Sequence, residues 1–137
     1  MRSLMNWAVV FVLALTPLAC RDAEDGTLKE LQRTHAGAID VVVLSRYDVV
    51  HQGKDSFLLE FRGVDGKLVD VGTVKATATM TMAGMPPMFG AIDLKGSDVA
   101  GRYVASTDIG MAGGWQVAVE WNGPGGRGAT RFQQRVQ

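Results

Sequence analysis

Apolar and polar positions alternate along most of the chain from residue 38 onwards, which predicts β-strands rather than helices. The clearest segment runs from Thr73 to Met82, where Val, Ala and Met take one parity and Thr and Lys the other. Because side chains alternate between the faces of a strand, we expect the apolar set to face a core and the polar set water. Similar patterns and β-branched runs predict further strands at residues 39–44, 56–62, 68–71, 92–94, 101–108, 113–121 and 129–136.

Turn residues separate the predicted strands, and their spacing indicates the fold class. Asp65-Gly66 is typical of a tight hairpin turn, Gly84 to Pro87 ends the strand before it, and Asn122 to Gly126 forms another turn. Short strands in this number, with little helix, predict an all-β protein, an immunoglobulin-like antiparallel β-sandwich of about seven strands. Six aromatic residues are expected to supply much of its buried area: Phe57, Phe61, Tyr103, Trp115, Trp121 and Phe132.

The N-terminal part of the chain follows a different pattern. Residues 4–15 are apolar apart from Asn6 and follow Arg2, which fits the h-region of a signal peptide and is short for a membrane span. Residues 20–37 are charged and polar, so we expect a tether, with at most one or two helical turns around Leu28 and Leu31. The predicted organisation is a signal peptide at 1–19, a tether at 20–37 and one domain at 38–137.

Cys20 is the only cysteine and directly follows Ala19 at the end of the apolar segment. This arrangement resembles the cleavage site of bacterial lipoproteins, where the cysteine takes a lipid, although Pro17 stands where the pattern prefers an aliphatic residue. An uncleaved anchor and ordinary secretion with a free thiol are the alternatives, and all three place the chain outside the cytoplasm. Arg21 does not resemble an inner-membrane retention signal, so we expect a lipid-anchored protein of the cell envelope, in the outer membrane rather than the inner one. With one cysteine the fold has no internal disulfide and must rest on its hydrophobic core.

Charge and polar composition argue against several classes of function. The chain has 14 basic and 14 acidic residues and no basic patch or stripe, which does not indicate a nucleic-acid partner. No serine lies in a glycine-elbow context, and most aspartates lie at predicted turns or strand ends. His35 and His51 are expected at the surface, without a catalytic constellation around them. We therefore expect a non-enzymatic protein, and no small-molecule substrate is indicated.

A methionine cluster is the strongest chemical signal in the chain. Four of the seven methionines fall between Met80 and Met88, beside Gly84 and the Pro86-Pro87 pair. Thioether sulfur is a soft ligand that suits Cu(I), and it is also a common filler of irregular cores. Met80 and Met82 share their parity with the apolar face of the predicted strand, so both are expected to pack in the core, with a sulfur contact to Trp115 or Phe89.

Three interpretations of this cluster remain open at the level of the sequence. It packs structurally, it binds copper(I), or it forms a hydrophobic contact surface for a partner protein of the envelope. Met85 and Met88 lie three residues apart in a loop stiffened by proline, and Met111 lies in a separate loop that is expected at the same end of the sandwich. The candidate Cu(I) ligands are therefore Met82, Met85, Met88 and Met111.

The segment from Val64 to Trp121 resembles the YtkA-like/FixH-like domain family. Three features carry the resemblance: residues 66–70 leading into an alternating strand, the Met-rich residues 82–88, and residues 101–103 followed by 111–117. The resemblance implies a small extracytoplasmic immunoglobulin-like sandwich without enzyme activity, found alone, as a lipoprotein or fused to metal-efflux adaptor proteins. FixH-type members are linked to copper delivery or oxidase assembly.

Overall fold

The computed structural model describes residues 27–137, and the predicted signal peptide and Cys20 lie outside this range. Every regular element in the described residues is a β-strand, so none of them is a helix that could span a membrane. The strands are β1 (Lys29–Ala36), β2 (Ile39–Ser45), β3 (Gly53–Arg62), β4 (Thr73–Met80), β5 (Met88–Gly96), β6 (Arg102–Ile109), β7 (Gly113–Gly123) and β8 (Gly126–Val136). The all-β prediction is confirmed.

The strands follow the order β1-β2-β3-β6-β5-β4-β7-β8, and every neighbouring pair is antiparallel. The subset β2-β3-β6-β5 and the subset β4-β7-β8 have the order of the four- and three-stranded sheets of a constant-type immunoglobulin domain. The predicted sandwich therefore holds in outline, with β1 as an additional edge strand.

One strand joins the two layers into a nearly closed sheet. Residues 91–96 of β5 pair with β6, whereas residues 88–90 of the same strand pair with β4. On the opposite side β1 and β8 lie close together without a ladder, and a single parallel bridge joins Val50 to Val136. The molecule is thus a flattened barrel with one open seam rather than two separate sheets.

Alternate residues of both layers fill one hydrophobic core, as the period of two predicts. All six aromatic residues expected in the core are buried, and Trp115 and Phe61 are no more than 1% exposed. The Phe61 ring meets Tyr103 and Trp121 edge-on, with centroid separations of 5.4 and 5.3 Å. Such edge-to-face pairs add to the stabilisation from burial and tie β3 to both layers.

The predicted tether is wrong for residues 29–36, which form β1 and not a tether or helical turns. This strand pairs with β2 along nearly its whole length, and Leu31, on β1, packs against the core. Its sequence is mostly polar because one face meets solvent, so the pattern of apolar residues alone did not indicate a strand. The sheet therefore begins before residue 38.

Several predicted strands differ from those in the structure. In place of the strand expected at 68–71, the structure has one isolated bridge between Arg62 and Leu68. The strand expected to reach Met82 ends at Met80, where the hairpin to β5 begins to turn. The strand expected at 92–94 starts at Met88, because residues 88–90 gain a second partner in β4.

A buried carboxylate links two neighbouring strands on the outer face. Glu60 lies on the face of β3 opposite Phe57, Leu59 and Phe61, yet its side chain is 0% exposed. Its Oε1 accepts a hydrogen bond from Arg102 Nε at 2.8 Å and lies 2.7 Å from Arg102 Nη2, and its Oε2 accepts from Arg62 Nε at 2.8 Å. Two guanidinium groups, each about one third exposed, compensate the charge and cover the carboxylate.

We predict that Glu60→Ala destabilises the fold by about 3 kcal/mol, the lower end of the cost of removing one partner from a buried ion pair. The low end applies because the two arginines left behind remain partly hydrated. Asp48→Ala is the control, since the Lys29–Asp48 pair is exposed and should contribute less than about 1 kcal/mol. Urea unfolding of the two variants measures the difference, and equal midpoints would contradict the prediction.

Candidate functional site

Three loops and the C-terminus meet at one end of the sandwich, which we call the methionine end. The loops are residues 46–52 between β2 and β3, residues 81–87 between β4 and β5, and residues 110–112 between β6 and β7. Because neighbouring strands are antiparallel, β4 and β6 end where β5 and β7 begin. This end therefore collects all four candidate metal ligands.

The β4–β5 hairpin brings methionines together by strand pairing. Met80 and Met88 are direct cross-strand partners, so their side chains start on the same face about 5 Å apart. The Met85 amide donates to the Met82 carbonyl at 3.2 Å and closes a turn within the loop. Met88, expected in the loop, is thus the first residue of a strand, with its backbone fixed by the ladder.

The methionines at this end differ sharply in exposure. Met80 is 5% exposed and belongs to the core, whereas Met85 is 57% exposed and Met111 is 37% exposed. Met82 and Met88 are partly buried and pack against the core from its edge. The four candidate ligands are thus the accessible or half-buried methionines. Met80 packs in the core as its parity predicted, whereas Met82, which has the same parity, lies beyond the end of β4 and is only partly buried.

Met80 lies in the same buried cluster as Trp115, whereas Phe89, the other aromatic residue expected beside it, is 78% exposed. The Met80 methyl group also lies 2.8 Å from where a Cβ on Gly113 would stand, and Gly113 has a φ of +137° that side chains rarely adopt. Gly113 follows the 110–112 loop directly, so this contact holds that loop against the β4–β5 hairpin.

A hydrogen bond from a core residue fixes the backbone of Met111. The Trp115 indole N–H donates to the Met111 carbonyl oxygen at 2.9 Å, which fixes the backbone of the loop. The β5–β6 ladder ends with the Ala91–Asp108 pair, and Met88 and Met111 are each three residues beyond it. The structure therefore places Met111 at the same end of the sandwich as the three methionines of the hairpin, as the clustering of loops at one end predicted.

The described residues contain no group of three or more His, Cys, Asp or Glu side chains that could hold a metal ion. Thioether sulfur is accordingly the main donor type at the methionine end. A set of neutral soft donors matches the preference of Cu(I) and is unsuited to Mg²⁺ or Ca²⁺. On its donor chemistry the site fits copper(I).

The two histidines lie in different places. His35, on β1, is 77% exposed and its Nδ1 lies 2.5 Å from Asp40 Oδ1, near the end of the sandwich opposite the methionines. Hydrogen bonds from Arg33 first, and then from His35, hold the pKa of Asp40 below its usual value. His51 lies in the 46–52 loop at the methionine end, which the sequence alone did not indicate.

A separate open groove of about 1230 Å³ lies on the outer face of the β3, β5 and β6 layer. Its walls are mixed in charge and include Lys54, Asp93, Arg102 and Asp108. None of the candidate methionines lines it. Its shallow form and balanced charge indicate no ligand class, so the methionine end remains the candidate site.

We predict that Gly113→Ala destabilises the protein by about 1–3 kcal/mol, because the new methyl group meets Met80 and the backbone is held in a sparsely populated region. Gly125→Ala is the matched control, since a Cβ there meets nothing within 4 Å and its φ is ordinary. Thermal unfolding of both variants tests this. A loss of stability in Gly125→Ala as large as in Gly113→Ala would contradict the contact described.

A family model described as YtkA-like matches residues 37–120. The matched segment runs from the β1–β2 turn to most of β7 and contains the loops that carry the four candidate methionines. No curated protein and no solved structure is significantly similar to the chain. Because the match covers more than half of its residues, this protein belongs to the YtkA-like family.

Proposed function

We propose that this protein is a non-enzymatic, copper-handling lipoprotein of the cell envelope that binds Cu(I) at the methionine end. The lipid on Cys20 would hold the domain at a membrane, and the outer membrane is the proposed location. The copper is cargo, which the domain takes up and passes on. The observation that supports this most strongly is that Met82, Met85 and Met88 of the β4–β5 hairpin lie at the same end of the sandwich as Met111 of the 110–112 loop.

The differences in exposure support transfer rather than permanent storage. Met85 and Met111 reach solvent, while Met82 and Met88 lie half-buried at the edge of the core. Exposed thioethers can meet an incoming ion, and half-buried ones can complete its coordination with little loss of freedom. Thioether ligands are neutral, so they bind Cu(I) without neutralising its charge. A partner protein with stronger ligands can therefore remove the ion.

The backbone around these residues supports a loop that is ordered before the metal arrives. The Met82–Met85 turn, the Pro86-Pro87 pair and the Met80–Met88 ladder position restrict the hairpin, and the Trp115 hydrogen bond restricts Met111. Fixed backbone reduces the conformational entropy that binding would otherwise remove. No redox step is required for this role.

A second candidate function has its own observation. Phe89, the second residue of β5, is 78% exposed, and Met85 and Met111 at the same end of the sandwich are 57% and 37% exposed. Large apolar side chains exposed together are typical of contact surfaces. Flexible methionine side chains suit such surfaces. In this alternative the methionine end contacts an envelope protein, such as an efflux or oxidase-assembly component, through apolar area and not through sulfur coordination.

We predict one equivalent of Cu(I) per protein in an anaerobic competition titration against a colorimetric Cu(I) chelator. The full chain carries Cys20→Ser in every variant, in a non-ionic detergent, so that the thiol does not bind the metal. Met85→Leu with Met88→Leu should abolish this binding, because leucine keeps the apolar volume and removes the sulfur.

Met80→Leu is the matched control for that titration. This substitution also removes one sulfur from the β4–β5 hairpin. The Met80 side chain is buried against Gly113, however, so the affinity for Cu(I) should be retained. Absence of competition at micromolar protein, or equal binding by the double variant, would contradict the copper proposal. The contact-surface alternative would then be favoured.

A further inference from the structure

The loop that carries His51 is fastened to the loop that carries Met111. Gln52 Nε2 donates to the Gly110 carbonyl at 2.8 Å, directly joining residues 46–52 to residues 110–112. The backbone N–H of Gln52 also donates to the Gln137 carbonyl at 2.8 Å, and Val50 forms a parallel β-bridge with Val136. Both loops are therefore held against the same end of the barrel.

His51 and Met111 lie in the two loops that the Gln52–Gly110 hydrogen bond joins. The β3–β6 ladder ends with the Gly53–Ile109 pair, and His51 and Met111 are each two residues beyond it. The β5–β6 ladder ends with the Ala91–Asp108 pair, so the first residue of β5, Met88, lies at this same end. One end of the barrel therefore carries both thioether side chains and an imidazole.

The His51 ring is held in one orientation by its own neighbours. Asp55 Oδ2 lies 3.2 Å from His51 Nδ1 and also accepts the His51 backbone amide at 2.7 Å. The Tyr47 ring meets the imidazole edge-on, with centroids 4.9 Å apart. Because a carboxylate only accepts, Nδ1 donates the proton and Nε2 of the neutral ring keeps its lone pair. A carboxylate on the far nitrogen is the usual support of a metal-binding histidine.

We propose that His51 is a nitrogen ligand of the metal site at the methionine end, through Nε2, and that the site consequently holds Cu(II) as well as Cu(I). Imidazole nitrogen is a good ligand for Cu(II), which thioethers alone hold poorly. The side chain of His51 is 47% exposed, so an ion can reach it. The proposal deepens the copper-handling function proposed above and rests on it.

The test is a titration with Cu(II) alone, in the absence of reductant, followed by electron paramagnetic resonance. The full chain with Cys20→Ser in detergent is compared with His51→Gln and His35→Gln. His35 is the matched control because its Nδ1 also meets an aspartate while it lies away from the methionines. Each variant is also titrated with Cu(I) against the colorimetric chelator, which checks that the methionine site is intact.

We expect wild-type protein to show nitrogen hyperfine coupling, and His51→Gln to lose that coupling with Cu(II) affinity at least about tenfold weaker. Removing even a hydrogen-bond partner of a metal-binding histidine costs about 10–100-fold. His35→Gln should match the wild type. Equal Cu(II) spectra and affinities in wild type and His51→Gln, or an equal loss in both histidine variants, would overturn the role of His51.

The two titrations separate the two proposals. If Cu(I) binding depends on Met85 and Met88 but Cu(II) binding is unchanged in His51→Gln, the proposed role of His51 is wrong. The proposed Cu(I) function is then still supported. Absence of Cu(I) binding by the wild type overturns the copper-handling function itself.

Discussion

The Trp115 indole lies between the two layers at the place where β5 leaves one and joins the other, and it is 1% exposed. Its Cζ3 atom lies 3.3 Å from where a Cβ on Gly90 would stand, so the crossing strand packs directly on the ring. Its N–H is satisfied by the Met111 carbonyl at the rim. Truncating such a side chain typically costs about 3–5 kcal/mol, and here it would also release the Met111 loop. Core packing and the geometry of the candidate site are therefore set by the same residue.

This coupling explains how a domain without an internal disulfide can present several methionines at one end without losing order. The backbone of each loop is fixed by something outside the loop: the β4–β5 ladder for Met88, the indole for Met111, and Gly110 for the His51 turn. Met80 takes the structural role and contacts Gly113, which leaves the other thioethers at the rim. A rigid frame with soft donors at its edge fits reversible metal binding better than a closed, buried cage.

The sequence predicted those parts of the structure that depend on local pattern. The alternating patterns and the turn residues gave the all-β class, the approximate positions of most strands along the chain and the burial of Trp115 and Met80. The sequence pattern did not predict β1, because this strand is mostly polar and its formation depends on pairing with β2. The local pattern did not reveal the burial of Glu60, because that burial depends on Arg102, 42 residues away. The joining of the His51 loop to the Met111 loop was missed for a similar reason, since it depends on the pairing of β3 with β6 and on the Gln52–Gly110 hydrogen bond.

The central claim is that the accessible thioethers of this YtkA-like domain bind copper(I), and the methyl groups of methionine report on it directly. The measurement is a carbon–proton correlation spectrum of the full-length chain with Cys20→Ser and methyl-labelled methionine, recorded during an anaerobic Cu(I) titration. The account predicts that the resonances of Met82, Met85, Met88 and Met111 shift, and that the buried Met80 signal moves least among the hairpin methionines. Unchanged signals from all four, or a shift confined to Met80, would contradict it.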